Sequence, residues 1–215
     1  MANSAQHTSK KKLELRKKLR AARSQTAQEF ANTATINLTA ELKTLTPYQT
    51  AQKIAIYLPI GSEFPTSAIL TDTNTLNKQI YIPYISDNQK HTMTFCLLQR
   101  DRQGNIQTEL QENSYNIPEP KEFSKSSAID EQSLDIIFMP LLGFNLQGDR
   151  LGMGGGYYDR ALSFKNKTKS FCQPYLIGLA YEAQLTDELN AQPWDIKIDA
   201  VITEQQTYHF NSSLL

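Results

Sequence analysis

The chain has 215 residues, 40% of them hydrophobic and 20% charged, which is the balance of a soluble globular protein with enough length to bury a full core. Its two cysteines, Cys96 and Cys172, are isolated from each other and exclude both a disulfide framework and a cysteine metal site, so a reducing compartment is expected. The polar start, Met1 to Ser9, is followed by no apolar run, and the longest apolar stretch, Leu134 to Phe144, is too short to span a bilayer. We therefore expect a cytoplasmic protein with a disordered segment 1–9 and a single domain over 10–215.

The net charge of zero is unevenly distributed. Residues 10–23 carry eight of the 22 Lys/Arg and one of the 22 Asp/Glu, so a basic opening segment precedes an acidic body. Its spacing predicts a helix. Leu15, Leu19 and Ala22 recur at helical intervals, and Lys12, Arg16, Arg20 and Arg23 form a second stripe. Such a stripe is either a solvated face or an anion-binding surface. Nucleic acid as the anion is disfavoured because no aromatic residue is interleaved with the cations. Thr26 to Glu29 has the form of a capping box and predicts a second helix ending before Pro47.

Further on, Lys53 to Leu58 reads as a strand, a loop runs from Pro59 to Pro65, and a short helix spans Ser67 to Leu70. Ile80 to Ile85 is the next strand, with Pro83 marking an end or a bulge. Thr92 to Leu98 and Ile106 to Leu110 are expected to pair across Gly104-Asn105. Tyr115 to Pro120 is expected to be extended because of its prolines. Leu134 to Pro140 is the strongest strand and is placed at the centre. A helix from about Gly156 to Phe164, a surface loop from Lys165 to Ser170, a strand over Tyr175 to Tyr181, a short helix over Thr186 to Asn190 and a strand over Ile198 to Thr203 complete the chain. Strands alternating with helices predict an α/β fold: one open, mostly parallel sheet with helices on both faces.

The most informative segment is Gly148 to Asp159, with four glycines within five residues read as lying between a strand and a helix. Glycine allows positive φ and lets backbone N–H groups approach a ligand, and a helix N-terminus favours anions. A phosphate cradle and a tight turn both fit. The string lacks the Gly-Lys-Ser/Thr of a Walker loop, and from Gly152 the third glycine of a dinucleotide fingerprint falls at Tyr157. Arg150 adds a permanent cation. His7, His91 and His209 sit in no motif.

Taken as a whole, Arg150-Leu-Gly-Met-Gly-Gly-Gly-Tyr-Tyr-Asp159 resembles the signature of the 5-formyltetrahydrofolate cyclo-ligase family. Lys12-Leu-Glu-Leu-Arg16 resembles that family's N-terminal helix, and Tyr57 to Glu63 its first strand and loop. Asn116 to Pro120, Ile137 to Pro140, and Trp194-Asp195 followed by Val201 to Thr203 fit in order, so the likeness spans roughly residues 10 to 204. Some relatives carry cations where this chain has Met153 and Gly155.

The resemblance implies a sugar-phosphate isomerase or CoA-transferase-like fold and ATP- and Mg2+-dependent closure of 5-formyltetrahydrofolate to 5,10-methenyltetrahydrofolate, with ADP and phosphate released. It implies ATP contacts at Lys12, Arg16, Arg150, Leu151, Gly152, Met153, Gly154, Gly155, Gly156, Tyr157 and Tyr158. The folate, polyglutamylated or not, falls to Leu58, Glu63, Tyr115, Met153 and Tyr157, and Mg2+ to Asp159 and Asp195. Each has a plainer alternative: a carboxylate facing the helix dipole for Asp159, a cap for Asp195, an exposed loop acid for Glu63, core packing for Tyr115. A monomer without nucleic-acid or membrane partners is expected. A nucleotide-binding regulator and a sugar-phosphate isomerase are the rival functions for the same fold.

Overall fold

The computed structural model describes residues 2–72, 77–103, 105–167, 173–192 and 194–211, with backbone alone at 2–9 and 167. The elements in chain order are α1 (Ala2–Thr44), α2 (Thr46–Thr50), β1 (Lys53–Ala55), α3 (Ser67–Thr71), β2 (Gln79–Asp87), β3 (Thr92–Leu97), β4 (Leu110–Glu112), β5 (Pro118–Pro120), β6 (Ala128–Ile129), β7 (Ile136–Pro140), β8 (Gly143–Phe144), β9 (Arg150–Leu151), α4 (Tyr157–Ala161), β10 (Tyr175–Leu179), β11 (Ala200–Ile202) and β12 (Thr207–His209), with 3-10 turns at Glu131–Ser133, Ser163–Lys167 and Glu182–Gln184.

Eight strands form one sheet in the order β12-β11-β10-β7-β1-β2-β3-β6. The five inner strands from β11 to β2 run parallel, and β12, β3 and β6 add antiparallel edges. The expected α/β sheet is therefore present, with β7 at its middle. Buried side chains alternate between its faces, as a pleat with both sides covered requires. Ile54, Ile136, Phe138, Ile177, Leu179 and Ile202 join one cluster, which takes Ala34, Leu38 and Leu42 of α1. Ala55, Ile137, Met139, Leu176 and Val201 face the other, which includes Leu162 and is flanked by α4.

Where two helices were expected at the start, α1 is continuous. No Gly or Pro interrupts residues 2–44, and Thr26 Oγ1 donates to the Ala22 carbonyl at 3.0 Å. That bond is the back-bonding of a mid-helix threonine, so no capping box opens there. The backbone of 2–9, read from sequence as disordered, continues the same helix; side chains there lie outside the described residues. The first half of α1 lays Leu15 and Leu19 on Leu151 and Leu189, while its second half seals the sheet.

Four other expectations change. β3 pairs with β2 and β6, and only an Arg100–Ile106 bridge survives of its predicted hairpin, whose Gly104 lies outside the described residues. Pro83 sits within β2, on the side where Tyr81 O already bonds Ile56 N; β1 has ended there, so the missing N–H costs no ladder bond. Tyr115 and Asn116 form a turn, Asn116 at φ +57, and only 118–120 is a strand. The short helix predicted over Thr186 to Asn190 is not formed; a 3-10 turn lies earlier, at Glu182–Gln184, where Gln184 Oε1 accepts from Tyr181 N at 2.8 Å. Residues 168–170 of the expected surface loop lie outside the described residues.

The candidate active site

The glycine string does not leave the central strand directly. The β8–β9 hairpin intervenes, its turn held by Asn145 Oδ1 accepting from Gln147 N at 3.0 Å and Asp149 N at 2.9 Å. The hairpin brings residues 152–156 under the first half of α1. Gly154 has φ +110 and Gly156, the residue before α4, φ +65. Other residues rarely adopt such angles. At Gly155 the constraint is space, because a Cβ would lie 2.7 Å from the Tyr157 ring.

The helix stripe reads along this loop. Lys12 Nζ faces Asp195 Oδ2 at 3.9 Å. Arg16 Nε donates to Gly152 O at 3.0 Å. One turn on, Arg20 Nη2 lies 3.8 Å from Met153 Sδ; a further turn brings Arg23 to Ser62 and Glu63. Burial and neighbouring Arg20 hold the Arg16 guanidinium below its ordinary value, with Asp195 opposing. Of these four, sequence reasoning took Lys12 and Arg16 into the site and left out Arg20 and Arg23, although their four-, four- and three-residue spacing was the available signal.

Arg150, expected to offer its charge to phosphate, is engaged within the protein. Its side chain is 6% exposed, and Nη2 donates to Asp159 Oδ1 at 2.6 Å while Nη1 donates to Ile196 O. Asp159 Oδ1 also receives Ile196 N at 3.3 Å. Asp195 Oδ2 accepts from Gln192 N at 2.8 Å. The segment around residue 195 is thereby tied to α4 and to β9 at once. These bonds use Oδ1 of Asp159 and Oδ2 of Asp195. A cleft of about 720 Å3 opens beside them, lined by Lys12, Leu15, Arg150, Leu151, Leu189 and Asp195 among others. Its walls combine apolar side chains with cations and with the carboxylates of Glu14, Asp149, Glu188 and Asp195.

On the other side of the loop stands an aromatic group. The Tyr157 hydroxyl lies 3.1 Å from Tyr115 Oη and 3.4 Å from Asn88 Oδ1. Burial, then the bond to Tyr115, pushes the Tyr157 phenol up to about 12. His91 packs edge-on to that ring at 5.4 Å, and Arg160 donates to His91 O at 2.9 Å and to Gly155 O. Asn88, His91 and Arg160 carried no sequence signal, since each reaches the site from a hairpin tip or a helix flank. Tyr158 packs on Phe95, and burial raises its phenol well above the ordinary range, Glu63 adding to the effect.

Glu63 is buried, with Oε2 accepting from Ile60 N at 3.1 Å. Tyr57 OH donates to Phe64 O at 2.7 Å and fixes the same loop. Leu58 belongs to the core below it. Met153 is half exposed on the glycine loop. Glu63 follows β1, and the glycine loop follows β7 through the hairpin, so these two lie beyond the carboxyl ends of parallel strands, where open α/β sheets bind ligands.

The chain is similar to proteins of known activity. It is 31% identical to the 5-formyltetrahydrofolate cyclo-ligase of Haemophilus influenzae over 87% of this chain and 95% of that one. The enzyme of the same name from Escherichia coli is 29% identical over 91% and 100%. Among solved structures, the NMR structure of Aquifex aeolicus 5,10-methenyltetrahydrofolate synthetase superimposes with a TM-score of 0.72 at 26% identity, covering 93% of this chain and 92% of that one. The Mycoplasma pneumoniae synthetase gives 0.62 at 26% identity over 90% and 98%. A family model matches residues 8–204, the whole stretch from the basic helix through β11, and the chain belongs to the 5-formyltetrahydrofolate cyclo-ligase family.

Proposed function

We propose that this chain cyclises 5-formyltetrahydrofolate to 5,10-methenyltetrahydrofolate at the expense of ATP, releasing ADP and phosphate. The observation that carries the reading is the positive-φ glycine loop bracketed by Arg16 beside a cleft lined by Lys12 and Arg150. Triphosphate lies along that loop, with the base on Leu15, Leu151 and Leu189. The folate lies between Glu63 and the Tyr115–Tyr157 pair, Met153 separating the two substrates.

A formamide oxygen is a poor leaving group. It becomes a good one when it attacks the γ-phosphorus and the bond from phosphorus to the ADP oxygen breaks. N10 then adds to the formyl carbon and loses its proton, the carbon–oxygen bond breaks, and phosphate leaves. The protein's part is alignment of oxygen with phosphorus, neutralisation by Lys12 and Arg16, and exclusion of water that would hydrolyse ATP. Asp159 and Asp195 would hold Mg2+, each through the carboxylate oxygen not used in the bonds above, with water and phosphate completing the shell. The ion, when bound, supplies further neutralisation of the phosphates. The partners are then small molecules alone, met in the cytosol by a single copy of the chain.

The test is the absorbance of methenyltetrahydrofolate formed by purified protein with 5-formyltetrahydrofolate, omitting ATP and Mg2+ in turn. Product is expected only when all components are present. Turnover without nucleotide, or ATP binding without turnover by folded protein, refutes the proposal.

A further inference from the structure

Arg23 is a charged residue inside the protein, and its partner is Glu63. Their side chains are 6% and 8% exposed, and Arg23 Nη1 lies 3.8 Å from Glu63 Oε1. Arg23 Nε donates to Ser62 Oγ at 3.2 Å, which anchors the guanidinium to the same loop from an element 39 residues away. Taking two charges out of water is costly, and their attraction offsets that cost only with good geometry and further hydrogen bonds. At 3.8 Å the contact is Coulombic and is too long for a hydrogen bond. Oε1 therefore keeps its acceptor capacity, while Oε2 is held by Ile60 N.

We propose that Arg23 is a positioning residue for the folate subsite, holding Glu63 ionised and aimed so that Oε1 accepts N–H groups from the substrate's pterin ring. The inference rests on the proposed function. A pterin presents a ring N–H and an amino group side by side, two donors that a carboxylate accepts and a carboxylic acid does not match.

The surroundings make the cation necessary. Burial raises the Glu63 carboxyl above the ordinary range, and Ile60 N–H and Arg23 oppose that rise. The other groups facing the pair are Tyr57 beyond β1, Tyr158 of α4, Tyr181 beyond β10 and Arg20 one turn back on α1. Burial keeps all three tyrosines neutral at physiological pH. Removing Arg23 therefore leaves Glu63 with the Ile60 N–H as its main support and moves its protonation to higher pH.

The experiment compares full-length wild type, Arg23→Gln, Arg23→Lys and Glu63→Gln, measuring KM for each substrate between about pH 5.5 and 8.5. In Arg23→Gln the folate KM is expected to rise by roughly tenfold or more at the acid end and less at the alkaline end, with ATP KM within about twofold. Arg23→Lys, which keeps the charge, is expected to recover most of the wild-type pH profile, and Glu63→Gln to lose the acid limb altogether. An acid limb that stays in place in Arg23→Gln, or a Lys variant no better than Gln, overturns the inference while the proposed function stands. Absence of folate turnover in wild type overturns both.

Discussion

Replacing Asp159 by Asn separates a structural contribution from a metal one. The substitution keeps Oδ1 as an acceptor for Ile196 N and Arg150 Nη2 but removes the charge that makes the 2.6 Å contact strong. Arg150 is left 6% exposed without a counter-ion, its acceptors reduced to the neutral amide oxygen and the Ile196 carbonyl. Cutting a fully buried pair costs about 3–5 kcal/mol. Because the Asp159 side chain is 31% exposed and an acceptor remains, the lower range for a bond to a charged group applies, about 1.5–3 kcal/mol. For a chain of this length that corresponds to a Tm lower by roughly 3–12 °C. The assay is thermal melting without nucleotide or Mg2+ for Asp159→Asn, Arg150→Met and the double variant. The two losses are expected not to add, since each variant breaks the same pair. An unchanged Tm, or strictly additive losses, refutes the ion-pair account. The rate of Asp159→Asn as a function of Mg2+ tests the other role: the half-saturating concentration should rise, and a wild-type titration removes Asp159 from the metal site.

Two further variants test the loop. Arg16→Ala loses the bond to Gly152 O and should raise the ATP KM by roughly tenfold, equivalent to about 1.5 kcal/mol, with the folate KM nearly unchanged; a rise confined to folate would misplace the helix. Gly154→Val forces a β-branched residue to φ +110 beside the Arg16 guanidinium, a strain of about 1–3 kcal/mol. It should abolish measurable ATP binding in titration calorimetry while the circular dichroism of the sheet persists. Wild-type affinity in that variant would leave the loop with no part in nucleotide binding.

The chain's inner strands were readable because their demands are local. Ile136 to Met139 are buried on both faces, and a short apolar run between polar flanks has few other fates. The two-residue strands of the β8–β9 hairpin are too short to show any period, so the glycine string was read as leaving the central strand. Thr26 begins a good capping pattern, and only its bond to Ala22 O shows that the backbone was already helical. In the site the residue types were visible and their partners were not. The Arg16–Gly152 bond joins positions 136 residues apart, and the Arg23–Ser62 bond joins positions 39 apart. Arg150 was recognised as important, but nothing near it in sequence announces that Ile196 O and Asp159 claim its guanidinium.

The unbroken course of α1 turns the basic stripe into a ruler. Lys12 and Arg23 stand eleven residues apart on one rod, about 17 Å at the rise of an α-helix, with no hinge between them and the far end of the rod sunk in the core at Leu38 and Leu42. The spacing of the contacts that α1 makes with the glycine loop and with Glu63 is therefore set by helical pitch. Inserting a single residue between Arg16 and Arg23 would turn the far marks by roughly 100° relative to the near ones. Any two ligands held at those marks would have to match the helix, because an unbroken helix has no means of adjusting to them.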